Sequence, residues 1–360
     1  MATRAVEHSR DVTVAQVDDF DEIVDVRTPA EFALGHIPGA INCPVLSDDE
    51  RARVGTMYKQ VSAFAAKRSG AALVARNIAH MLETRLHDRP PGWSPLVYCW
   101  RGGGRSDALC EVLRRVGWRA ARLQGGYQAY RRSVVAALEQ LPQAYDYRVL
   151  CGRTGSGKSQ VLEALAALGA QVLDLEGLAS HRGSVLGDVP GHPQPTQKMF
   201  ESLLWQRLRE LDRSRPVFVE AESRKVGNVQ VPGALIAAMR AAPCALVQAP
   251  TPVRTALLMK HYAHFLEQDA LLSERLHALT SHYGRATIER WCALAQAGRH
   301  PELVAELLEQ HYDPAYDRSI TRNFAHVCEA QTYRLDVASA PAIRAVAEQI
   351  FAQCAHEQPA

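Results

Sequence analysis

Residues 147–159 read YRVLCGRTGSGKS and run on into QVLEALAAL. An apolar run of strand character is followed by a glycine-rich loop, a Lys-Ser pair and an amphipathic helical stretch. The pattern G-x-x-x-x-G-K-S in that setting constrains the chain more than any other feature. Backbone N–H groups of Gly152, Thr154, Gly155, Ser156 and Gly157 would wrap phosphate oxygens, Lys158 would neutralise them, and the Ser159 hydroxyl could ligate Mg²⁺. Such a loop works only where a parallel strand hands over to a helix N-terminus, so it implies an α/β fold.

The rest of the chain agrees. Short apolar runs at Ile23–Val26, Leu96–Tyr98, Ala120–Leu123, Tyr147–Cys151, Ala170–Leu173, Val217–Val219 and Ala245–Gln248 read as strands. Helical stretches such as Ser106–Val116, Gly126–Gln140, Ser159–Leu168 and Thr196–Leu211 follow most of them, the alternation of βα units. A polar segment with Pro142, Glu139–Tyr147, marks a boundary between a domain at 1–142 and a P-loop α/β core at 143–250. Residues 251–360 read as a mostly helical extension with the end of that domain, and DPAYDRS (313–319) as a loop within it. No stretch comes near the roughly 18 apolar residues of a membrane span, and no signal-like apolar core begins the chain, so a soluble, cytoplasmic protein without membrane contact is expected.

A second loop carries different chemistry. Residues 98–106 read YCWRGGGRS. Three glycines let several N–H groups point at Cys99, the following helix adds its positive end, and the thiol should titrate low and be nucleophilic. Arg101 and Arg105 would hold an oxyanion opposite it. The other seven of the eight cysteines lack this setting and form no C-x-x-C pair, which argues against zinc and against a disulfide framework. The chain carries 41 Lys and Arg against 39 Asp and Glu, so nucleic-acid binding would need local clustering. Residues 101–132 supply it, with eight arginines against Asp107 and Glu111.

DVRTPAEF (25–32), GHIPGAIN (35–42), the Cys99 loop and LQGGYQAYR (123–131) together resemble the rhodanese family, over roughly residues 10–140. The resemblance implies that Asp25 and Arg27 support the loop and that Cys99 handles a chalcogen. One spacing departs from many rhodaneses: Cys99-x5-Arg105-Ser106 is the wider loop of cysteine-dependent phosphatases, suited to a tetrahedral phosphorus oxyanion. Phosphate-ester hydrolysis and a substrate joining phosphate to a chalcogen are the alternatives.

Glu220 and Glu222 end the strand PVFVEAES (216–223), at the place where nucleotide hydrolases carry an Asp; they would position Mg²⁺ or a proton, or simply be solvated. With VGTMYKQ (54–60), DLEGLASHRGSVLG (174–187), QPTQKMFESLL (194–204) and VEAESRKVGN (219–228), the two loops in this order resemble the bacterial tRNA 2-selenouridine synthase family. That resemblance implies a transferase acting on tRNA bearing wobble 2-thiouridine. Geranyl diphosphate would alkylate the sulfur, and selenophosphate would then replace it to give 2-selenouridine, with a selenophosphate-producing enzyme as a partner. Cys99 would carry selenium, attack phosphorus or assist release of the geranyl thiol. Glu176, His181 and Arg182 would line the diphosphate or base pocket, and Arg114, Arg115, Arg119, Arg122, Arg224 and Lys225 would meet tRNA phosphates. The competing readings are an ATP-dependent small-molecule kinase fused to a sulfurtransferase and a non-catalytic anion sensor.

Overall fold

The computed structural model describes residues 10–183, 187–189, 191–263 and 269–356. Two units divide them: one runs to Ala137 and includes Thr196–Gln206, and the other takes Leu138–Pro195 and Arg207 onward.

The first unit is built on the strands β1 (Asp11–Val12), β2 (Glu22–Asp25), β3 (Ile41–Asn42), β4 (Pro95–Tyr98) and β5 (Ala121–Leu123), ordered β1-β5-β4-β2-β3. Every pairing is parallel. β4 is central and buried throughout, which is why Pro-Leu-Val-Tyr reads as an unbroken apolar run and not an alternating one. Around the sheet lie α1 (Pro29–Ala33), α2 (Asp48–Gln60), α3 (Ala63–Thr84), α4 (Gly104–Val116) and α5 (Gly126–Gln140). Leu109 and Leu113 of α4 join Val24, Val97, Ile78 and Met81 in one core. Below Cys99 sits an ion pair with both side chains at 1% exposure or less, Arg27 to Asp25 at 2.6 Å. Arg27 also donates to the Gly35 carbonyl at 2.8 Å and lies 3.9 Å from the Tyr127 ring centroid.

Thr196–Gln206 lie inside the span read as the P-loop core, yet they group with this first unit. The reason is local: Trp205 packs edge-on to Tyr130, and Arg131 bonds the Lys198 carbonyl, Ser202 Oγ and the Glu201 carboxylate.

The second unit holds β6 (Tyr147–Cys151), β7 (Gln171–Leu173), β8 (Val217–Glu220), the small hairpin β9 (Lys225–Val226) and β10 (Val229–Gln230), β11 (Cys244–Gln248) and β12 (Gln331–Arg334). Its parallel sheet is ordered β12-β11-β6-β8-β7, with β6 in the middle. α6 (Lys158–Ala167) packs on one face with the Ala340–His356 helix, through Val161, Leu162 and Leu165 against Val346 and Ile350. Helices between Asp269 and Leu307 gather a core of their own around Trp291. Among the described residues no helix is long and apolar enough to cross a membrane.

One reading is corrected. DPAYDRS is not a loop: Asp313–Asn323 is an α-helix. The preceding helix widens into a π turn over Leu308–Tyr312, so Pro314 falls in the first turn of a new segment, where its missing N–H is no loss.

Because Asp25 and Arg27 are both sealed from water, Arg27→Met should strand a buried carboxylate and destabilise the first unit by about 3–5 kcal/mol. Adding Asp25→Asn should recover much of that loss. Chemical denaturation followed by Trp fluorescence measures both; equal midpoints for Arg27→Met and the wild type would refute the assignment.

Candidate active sites

In each unit the functional loop leaves the C-terminal end of the central strand, where open parallel sheets bind ligands. Cys99 follows β4 and Gly152 follows β6.

At the first site Cys99 is 4% exposed. Its Sγ accepts from the Gly103 N–H at 3.2 Å and from Ser106 Oγ at 3.2 Å. Burial pushes the thiol up, but bonds from Ser106 and from the Gly103 and Arg101 backbone outweigh it, and the titration falls below the ordinary thiol range. The loop is held from behind. Tyr127 N–H donates to the Cys99 carbonyl at 2.8 Å, and Gly126 has φ +57° with room for no side chain: a Cβ there would meet that carbonyl at 2.3 Å. Tyr127 in turn stacks under Arg27, so Asp25 and Arg27 stand beneath the loop as supports. Arg101 is exposed at the rim. Arg105 is bidentate to Glu31, at 2.6 and 3.2 Å, so an anion at Cys99 must share that guanidinium with Glu31.

The arginine cluster proves to be occupied. Arg114 bonds the Ala120 and Arg10 carbonyls, Arg119 the Gly92 carbonyl, and Arg122 pairs with Asp11 and Asp107. Arg115 pairs with Glu111. Arg114, Arg119 and Arg122 thereby tie down the sheet edge, whereas Arg115 pairs along its own helix and stays exposed.

At the second site Lys158 Nζ donates to the Gly152 carbonyl at 2.8 Å, and the Ser156 hydroxyl is buried with no protein partner among the described residues. An anion would satisfy both. Ser159 Oγ lies 3.4 Å from Glu176, and Glu176, Glu220 and Glu222 bring carboxylate oxygens within 4.8 Å of one another. Burial and the neighbouring Glu220 and Glu222 push Glu176 up to about 9. Burial, then Glu220, push Glu222 up to about 8, and burial raises Glu220 as well, against the pull of Lys158. Gly183, at φ +65°, closes over the cluster: a Cβ there would meet Glu176 at 2.9 Å and Glu222 at 3.2 Å.

His181 is 6% exposed, and its Nδ1 accepts from the Gly183 N–H at 3.1 Å. Burial lowers its titration; it is a neutral pin for the turn over the carboxylates. Arg182 bonds the His261 carbonyl and lies over Tyr262, on the wall of a cavity of about 800 Å³ that Lys158, Ser159 and the three glutamates also line. Residues 184–186 of this motif lie outside the described residues.

Four functional residues escaped the sequence reading. Tyr316 Oη accepts from the Gly152 N–H at 2.6 Å, Asp317 pairs with Arg153 at 2.6 Å, and Asp313 forms two bonds with buried Arg254 at 2.5 and 2.8 Å. Arg254 Nε also holds the Thr154 carbonyl at 2.9 Å. Their signal lay in Asp313, Tyr316 and Asp317, which share one face at helical spacing once the segment is read as a helix.

Fold and sites together define a rhodanese-like unit fused to a P-loop α/β unit. A rhodanese-like domain profile matches residues 9–133, and a profile described as the tRNA 2-selenouridine synthase AAA domain matches residues 145–340. The tRNA 2-selenouridine synthase of Sulfurovum sp. is 32% identical, covering 85% of this chain and 90% of its own length. Those of Alcanivorax borkumensis (33%; 83% and 90%) and Bdellovibrio bacteriovorus (31%; 85% and 90%) are similar throughout. The chain belongs to the tRNA 2-selenouridine synthase family.

At pH 7 iodoacetamide should label Cys99 well before Cys110, whose thiol burial pushes up to about 12. Ser106→Ala should slow Cys99 labelling roughly fivefold and move its inflection to higher pH. Peptide-resolved mass spectrometry reads both, and an unchanged profile would exclude Ser106 as the activating donor.

Proposed function

We propose that this chain converts 2-thiouridine in tRNA to 2-selenouridine in two steps, as a geranyltransferase and then a selenotransferase. The observation that carries the reading is the pairing, in a chain of this family, of an activated thiol loop with a phosphate loop whose nearby cavity is partly lined with carbon. In the first step the thiouridine sulfur attacks the allylic carbon of geranyl diphosphate. The carbon–oxygen bond breaks, and the diphosphate leaves with its electron pair onto Lys158 and the loop N–H groups. Leu257, Leu258, Ile320 and Phe324 on the cavity wall suit a prenyl chain.

In the second step selenium from selenophosphate displaces the alkylated sulfur at C2, and the geranyl thiolate departs. Of the roles open to Cys99, attack on phosphorus balances without an added oxidant: the sulfur–phosphorus bond forms, the phosphorus–selenium bond breaks, and selenide leaves with the electron pair beside its target. Water then cleaves the phosphocysteine. The wide Cys99-x5-Arg105 loop supports this choice.

Mg²⁺ fits the second site by its donor set. Glu176, Glu220 and Glu222 with Ser159 Oγ would hold it, and it would neutralise a bound diphosphate.

The decisive assay combines the protein with 2-thiouridine tRNA, geranyl diphosphate and selenophosphate and identifies nucleosides by mass spectrometry. Lys158→Ala should lose geranylation by at least about a hundredfold. Cys99→Ser should stop at geranylated tRNA, and unmodified tRNA with wild-type protein would end the proposal; ATP turnover would then favour the kinase reading.

The carboxylates give a separate test. An acid whose titration is raised by folding binds its proton more tightly in the native state, so stability falls as pH climbs from about 4.5 toward 9. Mg²⁺ should therefore raise Tm more at pH 9 than at pH 6. Glu222→Gln should raise Tm at pH 9 and blunt the Mg²⁺ effect, and a Mg²⁺ shift independent of pH and of Glu222 would remove the ion from this cluster.

A further inference from the structure

The α2–α3 hairpin of the first unit presents apolar surface with no evident use in its own fold. α2 and α3 pack closely, Val54 meeting Gly70, and Ala66, Leu73, Ile78 and Met81 face inward. At the tip, however, Tyr58 is 57% exposed, Val61 75% and Phe64 74%. The core gains nothing from them there.

The charge around this tip is one-sided. Residues 51–82 carry Arg51, Arg53, Lys59, Lys67, Arg68 and Arg76 and no acidic residue, in a chain whose overall charge is only +2. All six cations are exposed. The acidic residues of the hairpin lie at the ends away from the tip: Asp48, Asp49 and Glu50 in the N-terminal turn of α2, where they complement the helix dipole, and Glu83 in the last turn of α3. Helical spacing puts Lys67 and Arg68 beside Phe64 on α3, and Lys59 directly follows Tyr58. Exposed rings interleaved with cations are what single-stranded nucleic acid takes: bases stack on the rings while the cations follow the backbone. A protein partner matched only to the apolar tip would leave those cations without a counterpart. Arg114, Arg119 and Arg122 are tied into the sheet edge and Arg115 pairs with Glu111, whereas residues 51–82 contain no acidic residue to pair with the cations of the hairpin.

We infer that the α2–α3 tip is a docking surface for the RNA substrate, gripping an unpaired stretch of tRNA through Tyr58 and Phe64 with Lys59, Lys67 and Arg68 on its phosphates. The inference rests on the reading that the chain acts on tRNA. It assigns a use to VGTMYKQ, the motif that ends at this tip and that neither active site absorbs.

The test measures binding of full-length protein to 2-thiouridine tRNA by fluorescence anisotropy over a salt series. Tyr58→Ala/Phe64→Ala should weaken binding about tenfold or more. Lys67→Ala/Arg68→Ala should lower the slope of log affinity against log salt by roughly 1.5. Arg285→Ala, at an exposed helix position of the second unit, serves as a control with no expected effect, and thermal melts confirm that each variant is folded. Hydrogen exchange on wild-type protein should show protection of residues 54–68 on adding tRNA, a readout that needs no variant. Wild-type binding with unchanged affinity and slope in both variants overturns the docking surface and leaves the proposed activity standing. Loss of self-association in the ring variant, seen by sedimentation with tRNA affinity intact, overturns it in favour of a second copy. Failure of the wild type to bind tRNA overturns both readings together.

Discussion

Convergent backbone N–H groups are available to a ligand only where a chain stops being a strand and has not yet satisfied the first turn of a helix. Both functional loops are placed by that constraint. In each unit the loop follows the central strand of a five-stranded parallel sheet, β4 or β6, whose neighbours on both sides hold its end fixed. The same geometry serves opposite purposes. In one loop the N–H groups point at a thiol that belongs to the protein, and bonds from Gly103 and Ser106 lower its titration against the opposing effect of burial. In the other the Lys158 ammonium and the unpartnered Ser156 hydroxyl are set for an anion that must come from outside.

The two sites also manage buried charge differently. Beneath Cys99 the charges are matched: Asp25 with Arg27, and Glu31 with Arg105. That is a scaffold with no net field of its own. Beside Lys158 they are mismatched, with Glu176, Glu220 and Glu222 crowded together, and a single lysine cannot neutralise all three. Such a cluster is stable only if it holds protons or a cation, and the turn pinned by His181 keeps Gly183 close above it.

The strand runs were legible because buried parallel strands are apolar from end to end; Tyr147–Cys151 was bounded correctly from sequence, as was the helix Gly126–Gln140. Both loops were legible because their glycine spacing has few other uses. What could not be read were the partners of charged residues. Arg114, Arg119 and Arg122 look the same in sequence whether they face solvent or cap a sheet edge, and only the fold shows carbonyls and carboxylates within their reach. The helix Asp313–Asn323 was missed because Pro314 and two aspartates mimic a turn, and nothing local reveals the π turn that makes room for the proline. The grouping of residues 196–206 with the first unit was hidden for the same reason, since Trp205 on Tyr130 is a contact between distant stretches of chain.

The clasp formed by Asp313, Tyr316 and Asp317 on a loop some 160 positions earlier has a consequence for the birth of the protein. A ribosome that has finished Gly152–Ser159 has not yet made the side chains that secure it, nor β12, which closes that sheet, nor the helix whose Val346 and Ile350 cover α6. Vectorial synthesis thus leaves the Gly152–Ser159 loop unfinished until residues beyond 350 have emerged, while the pieces of the first unit are complete by residue 206. A nascent chain would complete the surroundings of Cys99 before those of Lys158.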